Sequence, residues 1–407
     1  MIKKSLCVGI LAFICVISIA LFKGVLIEPT AARNLLQKDP VVSELLTRSP
    51  INLSIDFSKG LGLSHWFFIP VEGDEALASE VYLKKWMNEA EVKSIATAGF
   101  KHVRLPIDPN FLQPNWKSGN FQIPDSRLTY IDRAIELLGA QNIGVILDLH
   151  PIDPFKLQQQ SKALIYQQST DYQRLELIWK VLSRRYSETP EAIAYEILNE
   201  PQVENSELWH NIAQQIVNLI RQTDTKHSIV VSPSGYGGVG ELVQFRPISG
   251  DGLVYTFHFY APMAFTHQGA KWLDDYSPLK GVPYPLDVKS LPKVLSLGRS
   301  QLPLVTQKLW EEYKATPFNA STLKTEIKRV TQWRNRYNVN LYCGEYGVHD
   351  VASKPDRVRW YQDVVSTFTQ EGIGQSLWAY RGTFGLVPDG KSEMDPEFLT
   401  AIGLKGA

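Results

Sequence analysis

A chain of 407 residues with 44% hydrophobic and 21% charged residues has the composition of a globular protein and is long enough to bury one large core. Lys+Arg and Asp+Glu both total 42, so no net field favours a polyanion: nucleic acid is set aside as a partner, and a neutral ligand is expected. Aromatic residues make up 11%, including ten Trp, a supply that suits stacking on the apolar faces of sugar rings as well as filling a core.

The N-terminus reads Met1-Ile2-Lys3-Lys4 and is then uncharged and apolar from residue 6 to residue 22, up to Lys23. Residues 1–27 therefore read as a signal peptide or membrane anchor. The run is longer than a usual signal-peptide core and slightly short of the about 20 residues of a comfortable bilayer span. We expect an uncleaved anchor over 5–27, with the body on the periplasmic or extracellular side, because Lys3 and Lys4 stay inside. The small-residue cleavage candidate Thr30-Ala31-Ala32 sits far from the apolar core, and no small residue directly precedes Cys15, which argues against lipidation. Cys343 is alone in the body, so neither an intradomain disulfide nor a sulfur metal site is available there.

Residues 28–55, with Pro29, Pro40 and Pro50, read as a linker or packing arm before a single domain over 56–407. Short apolar or β-branched runs at 60–63, 102–105, 144–149, 193–198, 228–232, 253–257, 341–344 and 374–377 predict eight strands. Between several of them lie helical spacings such as Leu128, Ile131, Ile135 and Leu138, or Leu323, Ile327, Val330 and Tyr337. Runs such as Val145-Ile146-Leu147 lack polar alternation, as strands covered on both faces do. Eight parallel strands with intervening helices imply an α/β TIM (β/α)8 barrel, here with an N-terminal apolar helix, whose reactive face lies at the C-terminal strand ends. Helices after the fifth and eighth strands are poorly marked. Two connections, 151–170 and 261–317, exceed plain turns; the second carries Trp272, Tyr276, Tyr284, Trp310 and Tyr313, which either wall a cleft or anchor the loop.

Asn199-Glu200-Pro201 closes the fourth strand and Gly344-Glu345-Tyr346-Gly347 the seventh. Those strands face each other across a barrel mouth. Glycoside hydrolysis with retention needs one carboxylic acid to protonate the leaving oxygen and one carboxylate to attack the anomeric carbon, about 5–5.5 Å apart. One isolated Glu would more simply make a surface ion pair; two at matched strand ends point to chemistry. Two other classes remain open: a metal-dependent hydrolase using Asp148, His150, His258 and Glu345, and a catalytically silent sugar-binding barrel. The first lacks any compact ligand pair and leaves the paired glutamates unexplained; against the second stands the retention of both Glu200 and Glu345, one of which a dead homologue would lack.

These residues also carry a resemblance. Over roughly 56–385 the chain resembles glycoside hydrolase family 5, the cellulase family, through Arg104 in Val-Arg-Leu-Pro, His150 in Leu-Asp-Leu-His, Asn199-Glu200-Pro201, His258-Phe-Tyr260, Glu345 in Gly-Glu-Tyr-Gly and Trp378 in Leu-Trp-Ala-Tyr. The resemblance implies a retaining β-glycosidase acting on a glucan- or mannan-type substrate, with Glu200 as acid/base and Glu345 as nucleophile. Gly60-Leu-Gly-Leu-Ser64 departs from the family's Gly-hydrophobic-Asn pattern. Physically, Arg104 offers a fixed cation to keep Glu345 ionised, Tyr260 a hydroxyl to Glu345, and Asn199 an amide for the sugar 2-hydroxyl. His150 and His258 are expected as donors to sugar hydroxyls or to the glutamates, with Trp378 as a stacking platform and Trp66 as a second one at a neighbouring subsite. No metal or cofactor is expected, and the chain is expected to be a monomer.

Overall fold

The computed structural model describes residues 53–68, 79–152, 157, 169–190, 192–203, 205–286, 303–316 and 318–405. Eight strands pair in parallel and in chain order, and the last returns to the first to close a barrel. They are β1 (Lys59–Gly62), β2 (His102–Ile107), β3 (Gly144–Leu149), β4 (Ile193–Glu196), β5 (Ser228–Val231), β6 (Leu253–Phe259), β7 (Asn340–Tyr346) and β8 (Gly374–Leu377). The runs predicted as strands are these strands, displaced by a few residues at their ends.

Alternation along each strand sorts side chains between two cores. Val103, Leu105, Val145, Leu147, Ile193, Tyr195, Ile229 and Val231 pack outward into the layer shared with the helices, whereas Ile146, Ala194, Val230, Val254 and Tyr342 fill the barrel. The next inward positions towards the C-terminal ends are Asp148 after Ile146, Glu196 after Ala194 and Thr256 after Val254, all fully buried. The barrel is thus apolar at its base and charged at its mouth.

Ile55 and Phe57 belong to the same inner core. The Ser54 hydroxyl donates to the Ile193 carbonyl at 2.5 Å and accepts from the Ser228 amide at 2.9 Å. Residues 53–55, assigned from sequence to the arm, therefore close the barrel floor. The apolar run near the N-terminus lies outside the described residues; among those described, no helix is long and apolar enough to cross a membrane.

The helical spacings correspond to Asp125–Gly139, with Leu128, Ile131, Ile135 and Leu138 buried, and Ala320–Tyr337, with Leu323, Ile327 and Val330 buried. After β5 and β8 the described helices are only six residues long, Val239–Gln244 and Pro396–Ala401, too short to show a 3.6-residue period. The 151–170 connection lies almost wholly outside the described residues. In the 261–317 connection most aromatics anchor: Trp310 is buried, Tyr284 donates to Asp363 at 2.8 Å, and Tyr313 donates to the Pro283 carbonyl at 2.8 Å. Trp272 is the exception, 58% exposed.

Candidate active site

Three neighbouring strands aim ionisable groups inward at the mouth: Arg104 from β2, Asp148 from β3 and Glu196 from β4, all 0% exposed. The Arg104 fork donates through Nε to Glu196 Oε2 at 2.7 Å and through Nη2 to Glu196 Oε1 and Asn199 Oδ1, both at 2.8 Å. Nη2 also lies 3.0 Å from Asp148 Oδ2, and Nη1 donates to Glu345 Oε1 at 2.5 Å. One guanidinium serves three carboxylates, a geometry that a planar five-donor group satisfies and an ammonium does not. Burial works against the Arg104 charge, but the surrounding carboxylates win and raise its pKa. Glu196 is pushed upward by burial, with the Asp148 charge adding to that, against the pull of Arg104.

Glu345 comes from β7, where the register with β6 shifts between Phe257 and His258 and that with β8 shifts between Cys343 and Tyr346. Such irregularities re-aim side chains at barrel rims. Glu345 Oε2 accepts from the Tyr260 hydroxyl at 2.8 Å and lies 3.6 Å from His258 Nδ1. Burial raises its pKa, but the His258 and Arg104 charges and the Tyr260 hydrogen bond outweigh burial and hold it at about 2. Glu345 is therefore a carboxylate at any ordinary pH.

Glu200 lies beyond β4 rather than in it, with φ at 39°, a left-handed backbone that costs a residue with a Cβ about 1–2 kcal/mol. That turn lifts the side chain to the mouth, where it stays 26% exposed and its Oε1 meets His258 Nδ1 at 2.7 Å. A carboxylate oxygen of Glu200, a ring nitrogen of His258 and a carboxylate oxygen of Glu345 all lie within 4.8 Å of one another. This separation suits direct attack across a glycosidic bond and leaves no space for the intervening water of an inverting site. Burial disfavours the His258 charge, but Glu345 and Glu200 win and raise its pKa.

His150 reaches neither glutamate by a hydrogen bond. Its Nδ1 meets Asp148 Oδ2 at 2.7 Å and its Nε2 meets Asn199 Nδ2 at 3.0 Å; with the amide donating to Nε2, the ring proton sits on Nδ1. Asn199 is thus held at both ends, by Arg104 at its oxygen and by His150 at its nitrogen, with one amide hydrogen left over. Trp378 stacks on His150 at 5.5 Å and 13°, and Phe68 packs on the same imidazole at 4.2 Å. A Cβ on Gly62 would sit 2.9 Å from Trp378 Cε3, so the unusual glycine in β1 gives that indole its space. Trp66, expected as a second platform, is only 3% exposed; it stacks on Phe67 and Trp86 and donates to the Leu83 carbonyl at 3.0 Å. No face of it is free for a sugar.

Asp148 and His150, considered above as metal ligands, turn to Arg104, to Asn199 and to each other. Glu196 escaped the sequence reading. Its signal was a charged residue in the inward register of a fully buried strand, level with Asp148 on β3.

A parallel barrel with two carboxylates converging over one buried arginine defines a glycosidase that hydrolyses O-glycosyl bonds. Residues 71–383 match the family Cellulase (glycosyl hydrolase family 5), and the chain belongs to that family, with β-linked glucan as its substrate class. It is 28% identical over 328 residues to Endoglucanase C of Acetivibrio thermocellus, covering 80% of this chain and 92% of that one. It is 28% identical over 320 residues to Cellodextrinase A of Ruminococcus flavefaciens, covering 78% and 83%. The fold is also that of the cellulose synthase subunit Z of Clostridioides difficile, with a TM-score of 0.67, 20% identity and coverage of 85% and 99%.

Proposed function

We propose that the enzyme cleaves β-1,4-linked glucan by double displacement, with Glu345 as nucleophile and Glu200 as acid/base. The observation that carries this is the pair of carboxylates meeting within 4.8 Å, one of them held ionised by Arg104 and His258. Glu345 attacks the anomeric carbon as Glu200 delivers its proton to the leaving oxygen; Glu200 then takes a proton from water, which displaces Glu345 from the sugar. Asn199 offers its remaining amide hydrogen to the 2-hydroxyl, and Trp378 forms the floor of the cleavage subsite. Tyr260 and Arg104 fix the direction of the Glu345 lone pairs. Supporting the glucan assignment is the kinship with an endoglucanase and a cellodextrinase over most of both chains.

Incubation with an activated 2-deoxy-2-fluoro-β-cellobioside tests the assignment, because the fluorine slows both displacements while the good leaving group restores the first, so the glycosyl-enzyme accumulates. Mass spectrometry should find one cellobiosyl unit, on the peptide containing Glu345. Label on another residue, or complete inertness of an enzyme active on cellulose oligomers, refutes it.

The apolar run after Lys3-Lys4 supports export of the catalytic body with retention at the inner membrane. Full-length protein should stay with membranes after a salt wash, whereas a soluble form starting near residue 33 would contradict retention.

A further inference from the structure

Glu200, His258 and Glu345 each turn one atom towards a common point at the mouth, and those three atoms all lie within 4.8 Å of one another. His258 Nδ1 is 2.7 Å from Glu200 Oε1 and 3.6 Å from Glu345 Oε2. Zn2+ takes imidazole nitrogen at about 2.0–2.1 Å and carboxylate oxygen at about 2.0–2.2 Å, which puts neighbouring ligands of a tetrahedral site about 3.4 Å apart. The two His258 separations straddle that value. The wider spacing between the carboxylates closes by a small swing of Glu200, whose side chain is the least buried of the three, 26% exposed against 3% for His258 and 7% for Glu345.

Charge and tautomer favour the same occupant. The carboxylates already share a place for positive charge, the proton between His258 Nδ1 and Glu200. Arg104 sits on Glu345 Oε1 and leaves Oε2 to the mouth. When Nδ1 gives its lone pair to a metal, the ring proton goes to Nε2. That nitrogen is buried and has no hydrogen-bond partner among the described residues. The Thr256 hydroxyl oxygen crowds the same spot: a Cβ on Gly344 would sit 3.4 Å from His258 Nε2 and 2.5 Å from Thr256 Oγ1. An acceptor beside the second ring nitrogen is what orients a metal-bound imidazole. One imidazole with two carboxylates suits Zn2+ and its neighbours in the first transition row, whereas Mg2+ and Ca2+ prefer a full shell of oxygens.

We propose that Glu200, His258 and Glu345 bind one divalent transition-metal ion, such as Zn2+, and that the bound ion shuts the enzyme off. The blocking effect rests on the assignment of Glu200 and Glu345 above. An ion held by both carboxylates leaves no acid to protonate the leaving oxygen and no free lone pair to attack the anomeric carbon, and it fills the place of the bond to be cut. It is thus a reversible inhibitor that competes with substrate, not a cofactor.

Calorimetry and kinetics on the whole enzyme test the two halves separately. Titration of metal-free enzyme with Zn2+ should show one tight site per chain. The near-isosteric changes Glu200→Gln and Glu345→Gln should each weaken it by at least about tenfold, since disturbing even an outer-shell partner of a metal costs that much. Zn2+ should raise KM for β-cellobiosyl fluoride without lowering kcat, a chelator should restore the parent rate, and Mg2+ or Ca2+ at the same concentration should leave it unchanged. No binding, or binding that neither substitution weakens, overturns the metal site and leaves the two-glutamate assignment intact. A fall in kcat at unchanged KM would place the inhibiting ion outside the cleavage subsite and overturn the site likewise. Binding that both substitutions weaken, with hydrolysis of the fluoride unimpeded, would overturn the shutting-off and the assignment of the two glutamates together.

Discussion

Replacing Arg104 by Lys keeps the charge and removes the fork, which makes it a sharp probe of how the site holds its nucleophile. The guanidinium makes five short contacts, two to Glu196 and one each to Asn199, Asp148 and Glu345. An ammonium has three hydrogens, so at least two contacts are lost, each worth about 1.5–3 kcal/mol where a charged group is involved. The expected destabilisation is about 3–6 kcal/mol at neutral pH on that basis. With Arg104 no longer seated on Glu345 Oε1, burial regains part of its hold and the Glu345 pKa climbs from about 2 by at least about one unit, equivalent to about 1.4 kcal/mol. The sign follows from linkage: a depressed carboxylate stabilises the fold fully above its unfolded pKa and loses that contribution as pH falls through the folded one. The variant should lose it at a higher pH than the parent. The pH profile of kcat/KM on β-cellobiosyl fluoride reports the free enzyme, and its acid limb should move upward by at least about one unit, in step with the pKa. A folded Arg104→Lys enzyme with unchanged thermal stability and an unmoved acid limb would refute this account of the arginine.

Glu345→Gln and Glu200→Gln should each reduce turnover of cello-oligosaccharides by orders of magnitude without unfolding the protein, but only Glu200→Gln should recover on a substrate whose leaving group needs no proton; near-normal turnover by either purified variant on cellopentaose would sink the pairing. Asn199→Ala should cost about 10²-fold in kcat, comparable to losing one transition-state hydrogen bond, and should cost almost nothing when the substrate is a 2-deoxy glycoside. An equal loss on both substrates would move Asn199 from sugar contact to scaffold.

The barrel was legible because its strands are covered on both faces and so read as uninterrupted apolar runs, as at Val145-Ile146-Leu147. The six-residue helices after β5 and β8 were not, since neither completes two turns. At the site, the two glutamates could be placed from their strand-end positions, and Arg104 and Tyr260 from the family motifs that carry them. Trp66 could not: sequence gives its distance from β1 but not that Phe67 and Trp86 stack against it. His150 shows the same limit. Its strand position is plain, yet whether the imidazole faces substrate or turns to Asp148 and Asn199 depends on side chains from two other strand ends. Glu196 was overlooked although its inward register was readable, because the reason to bury its charge is Arg104, two strands away on β2.

The central claim, direct attack by Glu345 with Glu200 as acid/base, is tested most directly by the configuration of the first product. A covalent glycosyl-enzyme has one inversion behind it and one ahead, so the released sugar keeps the substrate's configuration. Proton NMR of a fresh reaction on a β-linked cello-oligosaccharide follows the anomeric signals before mutarotation scrambles them. The β-anomer should appear first and decay slowly to the equilibrium mixture. An initial α-anomer would mean a single displacement by water, and would remove Glu345 as nucleophile even if both glutamates proved indispensable.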